Sequence, residues 1–204
     1  MSPSAPLARR ARARRSLVLA VAGTVLAALL AAVGATACDP LPPAPPGGTA
    51  PDCRDVAWGS GAKRAEHLTS NPILRIRVGA HRCFDRMVID LRGVPAAGWR
   101  VRYHDITQEG SGAPVPLRGN ADLEVVALAP AHDEQGDATF QPTNRSELAD
   151  VTGFRAFRQV AFAGSFEGQT TFGLGVRTRL PFRVFAVSGP GGQKLVVDVA
   201  HRWP

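Results

Sequence analysis

Residues 74–78 read Leu-Arg-Ile-Arg-Val and residues 99–103 read Trp-Arg-Val-Arg-Tyr. Both alternate an apolar side chain with arginine. Successive side chains of a β-strand point to opposite faces, so this period puts Leu74, Ile76 and Val78 on one face and Arg75 and Arg77 on the other. That is the pattern of a half-buried antiparallel strand with one dry face and one wet face. Further strand-like runs lie at 86–91, 123–128, 159–163, 170–174, 182–187 and 194–199, with glycines between them as turns. Many short strands with regular turns predict an all-β domain, a sandwich or a barrel. No segment carries a long helical stripe, and residues 145–157 are assigned at most one or two helical turns. The long polar connection 130–151, with His132, Asp133, Glu134 and Asp137 close together, is read as a solvated loop and not as a metal site.

The strand pattern starts only after a different kind of N-terminus. Arg9, Arg10, Arg12, Arg14 and Arg15 precede an uncharged run at 16–33, and no acidic residue occurs before Asp39. A basic segment, an apolar segment and small residues at its end form an export signal, expected over residues 1–37. A permanent transmembrane helix is the alternative, because about 18 apolar residues just span a bilayer. Ala35-Thr36-Ala37 fits the small-x-small rule for cleavage, which favours the signal. The signal also explains the charge. The chain has 24 basic and 17 acidic residues, but five of the basic ones lie in the signal, leaving 19 against 17. The net charge of +7 is therefore no argument for a nucleic-acid partner. The exported part is one domain's length, enough to bury a core.

Cys38 directly follows the cleavage motif. Ala35-Thr36-Ala37-Cys38 resembles a bacterial lipobox, in which the cysteine is lipidated and becomes the first mature residue; Ala35 stands where leucine is usual. Plain signal-peptidase cleavage after Ala37 is the other reading. Cysteine arithmetic favours the lipid. The chain has three cysteines, and Cys53 and Cys83 are expected to pair in an oxidising compartment, with two separate buried thiols as the alternative. Lipidation accounts for the third. Residues 38–52 then serve as attachment site and Pro/Gly-rich linker. Extended polyproline of this length reaches on the order of 40 Å, holding a domain at 53–204 away from the outer face of the cytoplasmic membrane.

A search for chemistry returns little. There is no H-E-x-x-H, C-x-x-C or G-x-S-x-G. Gly173-Leu174-Gly175 opens like a dinucleotide fingerprint, but Thr178 occupies the third glycine position and no βαβ unit surrounds it. Five histidines are scattered, and His81 beside Cys83 is read as a turn histidine next to a structural cysteine. No cofactor, no metal and no catalytic residue is expected. Asp90 and Asp198 each follow an apolar run and are expected to bond a turn or a neighbouring arginine. What remains is arginine on wet strand faces: Arg75, Arg77, Arg100, Arg102, Arg179 and Arg183 are the candidate ligand-binding residues, with Arg177 in the same group. Arginine grips carboxylate or phosphate through paired hydrogen bonds. The same residues equally describe an ordinary charged face that guards sheet edges.

Three stretches together resemble a known family. They are residues 77–90, which contain Gly-x-His-x-x-Phe-Asp-Arg at Gly79–Arg86, then residues 166–175, then Pro181-Phe182-Arg183-Val184-Phe185 with Leu195-Val196-Val197-Asp198-Val199. Their order and phrasing resemble the AMIN-like domain of exported proteins and lipoproteins in high-GC Gram-positive bacteria. The resemblance covers about 58–201. It implies a β-sandwich related to the AMIN domain, which targets amidases and secretion pores by binding peptidoglycan. The expected function is thus a non-catalytic, lipid-anchored envelope protein that binds peptidoglycan or another anionic wall polymer. Trp99 and Tyr103 stand either at the rim of such a site or in the core. Two rivals are an adaptor for an envelope protein partner and a hydrolase with an unrecognised site. The hydrolase requires a pocket where His and Asp side chains converge.

Overall fold

The structure, a computed structural model, describes Cys53, residues 56–93 and residues 96–204. The expected signal, Cys38 and the proline-rich linker lie outside the described residues. Nine strands follow in chain order: β1 (Lys63–Ala65), β2 (Ile73–Ala80), β3 (Phe84–Leu91), β4 (Trp99–Tyr103), β5 (Ala121–Ala127), β6 (Phe157–Phe166), β7 (Gln169–Val176), β8 (Phe182–Gly189) and β9 (Gly192–Ala200). Five form an antiparallel sheet in the order β1-β4-β5-β7-β6, and four form a second in the order β2-β3-β9-β8. The strand and turn pattern predicted a sandwich or a barrel, and the fold is the antiparallel all-β sandwich that the family resemblance implied. Every strand-like run of the sequence becomes a strand. The additional strand, β1, is three residues long, too short to show a period.

One core lies between the sheets. Met87, Ile89 and Leu91 of β3 and Leu195, Val197 and Val199 of β9 pack in the same cluster as Val101, Leu123, Val125, Phe172 and Leu174 of the five-stranded sheet. Each such side chain contributes about 1.5–3 kcal/mol through burial. Trp99 and Tyr103 pack against this cluster, so both are core residues. The Tyr103 hydroxyl donates to the Leu180 carbonyl and accepts the Leu180 N–H, both at 2.9 Å, and burial pushes its pKa up.

The two outer faces differ. On the five-stranded sheet, the β4–β5 connection lies over β6 and β7. Glu109 N–H donates to the Ala163 carbonyl at 3.1 Å, and Arg118 N–H to the Gln159 side-chain oxygen at 2.7 Å. Two glycines make room for it. A Cβ on Gly173 would sit 2.9 Å from both Ile106 and Leu117, and one on Gly175 would sit 2.1 Å from the Arg118 carbonyl oxygen. The glycine pair that opens like a nucleotide motif therefore permits close packing of a loop on a sheet.

Two local expectations change. Residues 145–157 form turns and bends with no helix. Their donors are taken elsewhere: Leu148 N–H donates to the Val160 carbonyl, Asn144 Oδ1 accepts from Ser146 and Glu147, and Asp150 Oδ1 accepts from Thr152. Side-chain acceptors of this kind compete with helix formation. The connection 130–151 is also more than a solvated loop. Phe140 stacks edge-on to Phe162 and Phe172 with ring centres 5.5 and 5.9 Å away, and Leu148 packs on the core. Its carboxylates serve the turn: Asp133 Oδ1 accepts the N–H groups of Gln135 and Asp137.

Cys53 and Cys83 are joined in a disulfide across 30 residues. It ties the segment entering the domain to the β2–β3 turn. Replacing both with alanine should lower stability by about 3–4 kcal/mol on the chain-entropy account. Denaturant unfolding of the variant, compared with the wild type in oxidising buffer, checks the value.

Candidate functional site

The outer face of the four-stranded sheet is built by strand parity. Residues that alternate with the core positions face outwards: Arg75 and Arg77 on β2, Arg86, Val88 and Asp90 on β3, Lys194, Val196 and Asp198 on β9, and Arg183, Phe185 and Val187 on β8. Five cations therefore share this face with two carboxylates. A shallow groove of about 420 Å³ crosses it, with Val88, Val196 and Phe185 at its floor and Arg77, Arg86 and Lys194 at its sides. Val187, 43 % exposed, extends the apolar strip to the sheet edge.

Each carboxylate orders two arginines. Arg77 grips Asp90 through two hydrogen bonds of 2.7 and 2.8 Å, and Arg75 adds a third at 2.6 Å. Arg86 grips Asp198 at 2.6 and 2.9 Å, and Arg183 joins at 2.8 Å. Asp198 is fully buried, because β8 and β3 flank β9 and their arginines close over it. Aromatic rings hold the same guanidinium groups from the side. Arg183 lies 4.4 Å over the Trp58 ring and 5.1 Å over Phe185, and Arg86 lies 5.1 Å over Phe84. With two guanidinium groups per carboxylate, donors remain for an external anion, and their rotamers are already fixed.

The hydrogen bond from Arg77, reinforced by Arg75, holds Asp90 below the usual carboxylate range. A carboxyl whose pKa falls on folding stabilises the native state fully above its unfolded value, ~3.9, and loses that contribution as pH drops through the folded value. Asp90→Asn should therefore be less stable than the wild type at neutral pH, and the gap should close in strong acid. Urea midpoints measured across the acid range test this.

The six candidate arginines do not form one cluster. Arg75, Arg77 and Arg183 share the face just described. Arg100 and Arg102 lie on the opposite side of the sandwich, where Arg100 pairs with Glu66 at 3.1 Å and Arg102 with Glu124 at 2.7 Å. Arg179 lies in the link before β8 and donates to the Ser60 hydroxyl and carbonyl at 3.1 and 3.2 Å. Arg177 donates to the His201 carbonyl. The strands thus divide the candidate arginines between one basic face and one face of mixed charge. Arg86 and Lys194 complete the basic face, and both were missed. Their signal was present in the apolar alternation of β3 and β9, but it is diluted there because these central strands carry valine outwards as well as inwards.

His and Asp side chains do converge at one place among the described residues. His201 Nε2 lies 2.9 Å from Asp85 Oδ1, and Asp85 Oδ2 accepts the N–H groups of Ala156 and Phe157 at 2.6 and 3.0 Å. Asp85 is fully buried and His201 is 8 % exposed. Asp85 sits at the start of β3 and thereby fastens one sheet to the start of β6 in the other. The cavity these residues line also contains Cys53 of the disulfide, and its described lining residues include no serine or threonine.

The turn between β2 and β3 shows why the Gly-x-His-x-x-Phe-Asp-Arg phrase is compact. His81 stacks on Phe84 with ring centres 4.6 Å apart, and its N–H donates to the Phe84 carbonyl at 2.9 Å. Cys83 carries the disulfide, Asp85 the inter-sheet bond and Arg86 the bond to Asp198. No helix among the described residues is long and apolar enough to cross a membrane.

No curated protein matches the chain. A family model, the AMIN-like domain, matches residues 71–201. The matched stretch contains eight of the nine strands and ends on His201, the partner of Asp85. With more than half of its 204 residues matched, and with the phrase that carries the likeness built into the turn, the disulfide and the Asp85 and Asp198 clusters, the chain belongs to the AMIN-like domain family.

Proposed function

We propose that this is an exported, non-catalytic envelope protein that binds peptidoglycan or another anionic wall polymer through the outer face of its four-stranded sheet. The observation that carries this is the composition of that face. Five cations and two carboxylates surround a strip of Val88, Val196, Phe185 and Val187. A polymer with carboxylates on short peptides and apolar faces on its sugars matches both parts. The outer face of the other sheet carries a loop over β6 and β7, and Arg100 and Arg102 there are each paired with a glutamate. Membership of the AMIN-like family supports a wall-binding class of role. Cys38 is the proposed lipid anchor, which would hold the domain at the outer face of the cytoplasmic membrane.

Cosedimentation of the exported domain with purified cell wall tests the binding. Retention should be strong at low salt and fall as added salt screens the arginines. Absence of retention at low salt would remove the reading. Mass spectrometry of the mature N-terminus tests the anchor: a diacylglyceryl-modified Cys38 is expected, and an unmodified start at Cys38 would replace anchoring with plain secretion.

A further inference from the structure

We propose a second binding site, separate from the sheet face, at the end of the sandwich beside the disulfide. It takes an oxyanion, a carboxylate or a phosphate carried by an envelope component.

A cavity of about 450 Å³ opens there, lined by His81, Arg82, Asp85, Arg155, His201 and Arg202 among others. These residues come from three separated parts of the chain: the β2–β3 turn, the approach to β6, and the stretch after β9. Asp85 is the one carboxylate among the described lining residues, and it is unavailable to the arginines. It is fully buried, and both its oxygens are engaged by His201 and by the N–H groups of Ala156 and Phe157. Arg82 and Arg155 are exposed, and neither side chain makes an ion pair or hydrogen bond with any described residue. This sets them apart from the sheet-face arginines, which are all paired to Asp90 or Asp198.

The walls are rigid. The disulfide and the His81–Phe84 hydrogen bond fix the turn that carries Arg82. The Asp85 bonds to Ala156 and Phe157 fix the backbone next to Arg155. Behind them lies His201, whose Nδ1 is sealed from solvent and has no hydrogen-bond partner among the described residues. Nε2 of the same ring is committed to Asp85 and braces that wall. Arg82 and Arg155, with no counter-charge of their own among the described residues, attract an anion, and the planar guanidinium fork fits two oxygens of one carboxylate or phosphate. The volume is near the lower end of small-ligand pockets, roughly 300–1,000 Å³, which suits an end group and not a polymer strand.

NMR titration of the exported domain tests this with three probes at matched ionic strength: acetyl-Ala-Ala with a free carboxylate, the same dipeptide as its amide, and glycerol 3-phosphate. The carboxylate or the phosphate should shift the amide signals of Arg82, Gly153 and Arg155, and whichever binds more tightly identifies the source of the anion. The amide should leave them in place. Arg82→Gln with Arg155→Gln should weaken binding at least about tenfold with unchanged melting, since neither side chain makes a contact that folding needs. Lys194→Glu on the sheet face should leave this affinity unchanged, while it weakens wall retention, so the two sites fail separately. Equal shifts from the amide, no shifts from either anion, or undiminished affinity in the double variant would each overturn the proposal.

Discussion

Asp85→Ala is expected to lower the unfolding free energy by about 3–5 kcal/mol, a fall in Tm on the order of 10 °C for a domain of this size. The size of the effect follows from what the carboxylate does. It is fully buried and accepts three hydrogen bonds, from two backbone N–H groups at the start of β6 and from His201. Alanine removes the acceptor that serves all of these at once. The Ala156 and Phe157 donors are then buried without partners, and the imidazole loses the bond that orients it. The variant also cuts one of the polar links between the two sheets. Asp85→Asn separates geometry from charge. Its amide oxygen can still accept from the backbone, and its amide nitrogen can donate to Nε2 once the imidazole takes the other tautomer. Less than half the loss is expected. Paired urea and thermal unfolding curves for both variants decide the matter, and an alanine variant within about 1 kcal/mol of wild type would show that this bond set carries little.

Lys194→Glu combined with Arg75→Gln is expected to reduce wall retention at least tenfold, which corresponds to about 1.4 kcal/mol, with folding intact. Lys194 sits half-buried in the middle of the basic face and makes no ion pair with any described residue. Arg75 is the more exposed of the two arginines on Asp90, and its removal leaves the bidentate grip of Arg77 in place. The pair of changes therefore takes three units of positive charge from the face and leaves both buried aspartates partnered. Arg102→Gln, on the other sheet, is the control and should retain wild-type binding. Cosedimentation across a salt series provides the measurement. Equal losses from the double variant and the control would indicate that net charge alone matters and that no particular face binds.

The candidate site was legible in part. Alternation placed Arg75, Arg77 and Arg183 on wet faces correctly, because side-chain direction along a strand is set by the local backbone. It could not tell one wet face from another. Arg100 and Arg102 show the same pattern as Arg75 and Arg77 and lie on the other sheet. The expectation that Asp90 and Asp198 would bond neighbouring arginines holds, and it follows from the cost of burying an unpaired carboxylate. The particular partners were hidden. Arg86 and Asp198 are 112 residues apart, and His201 and Asp85 are 116 apart.

By itself, then, the sequence determined the class of the fold, the places where strands run and turn, and which side chains face water, since each depends on neighbours a few residues away. Only the tertiary structure decided that β3 lies beside β9, that a loop covers β6 and β7 on one sheet, and that three distant segments bring Arg82, Arg155 and His201 around one cavity. Those outcomes depend on which strands pair, and pairing is selected by the fit of whole faces across the core, a property that no short stretch of chain contains.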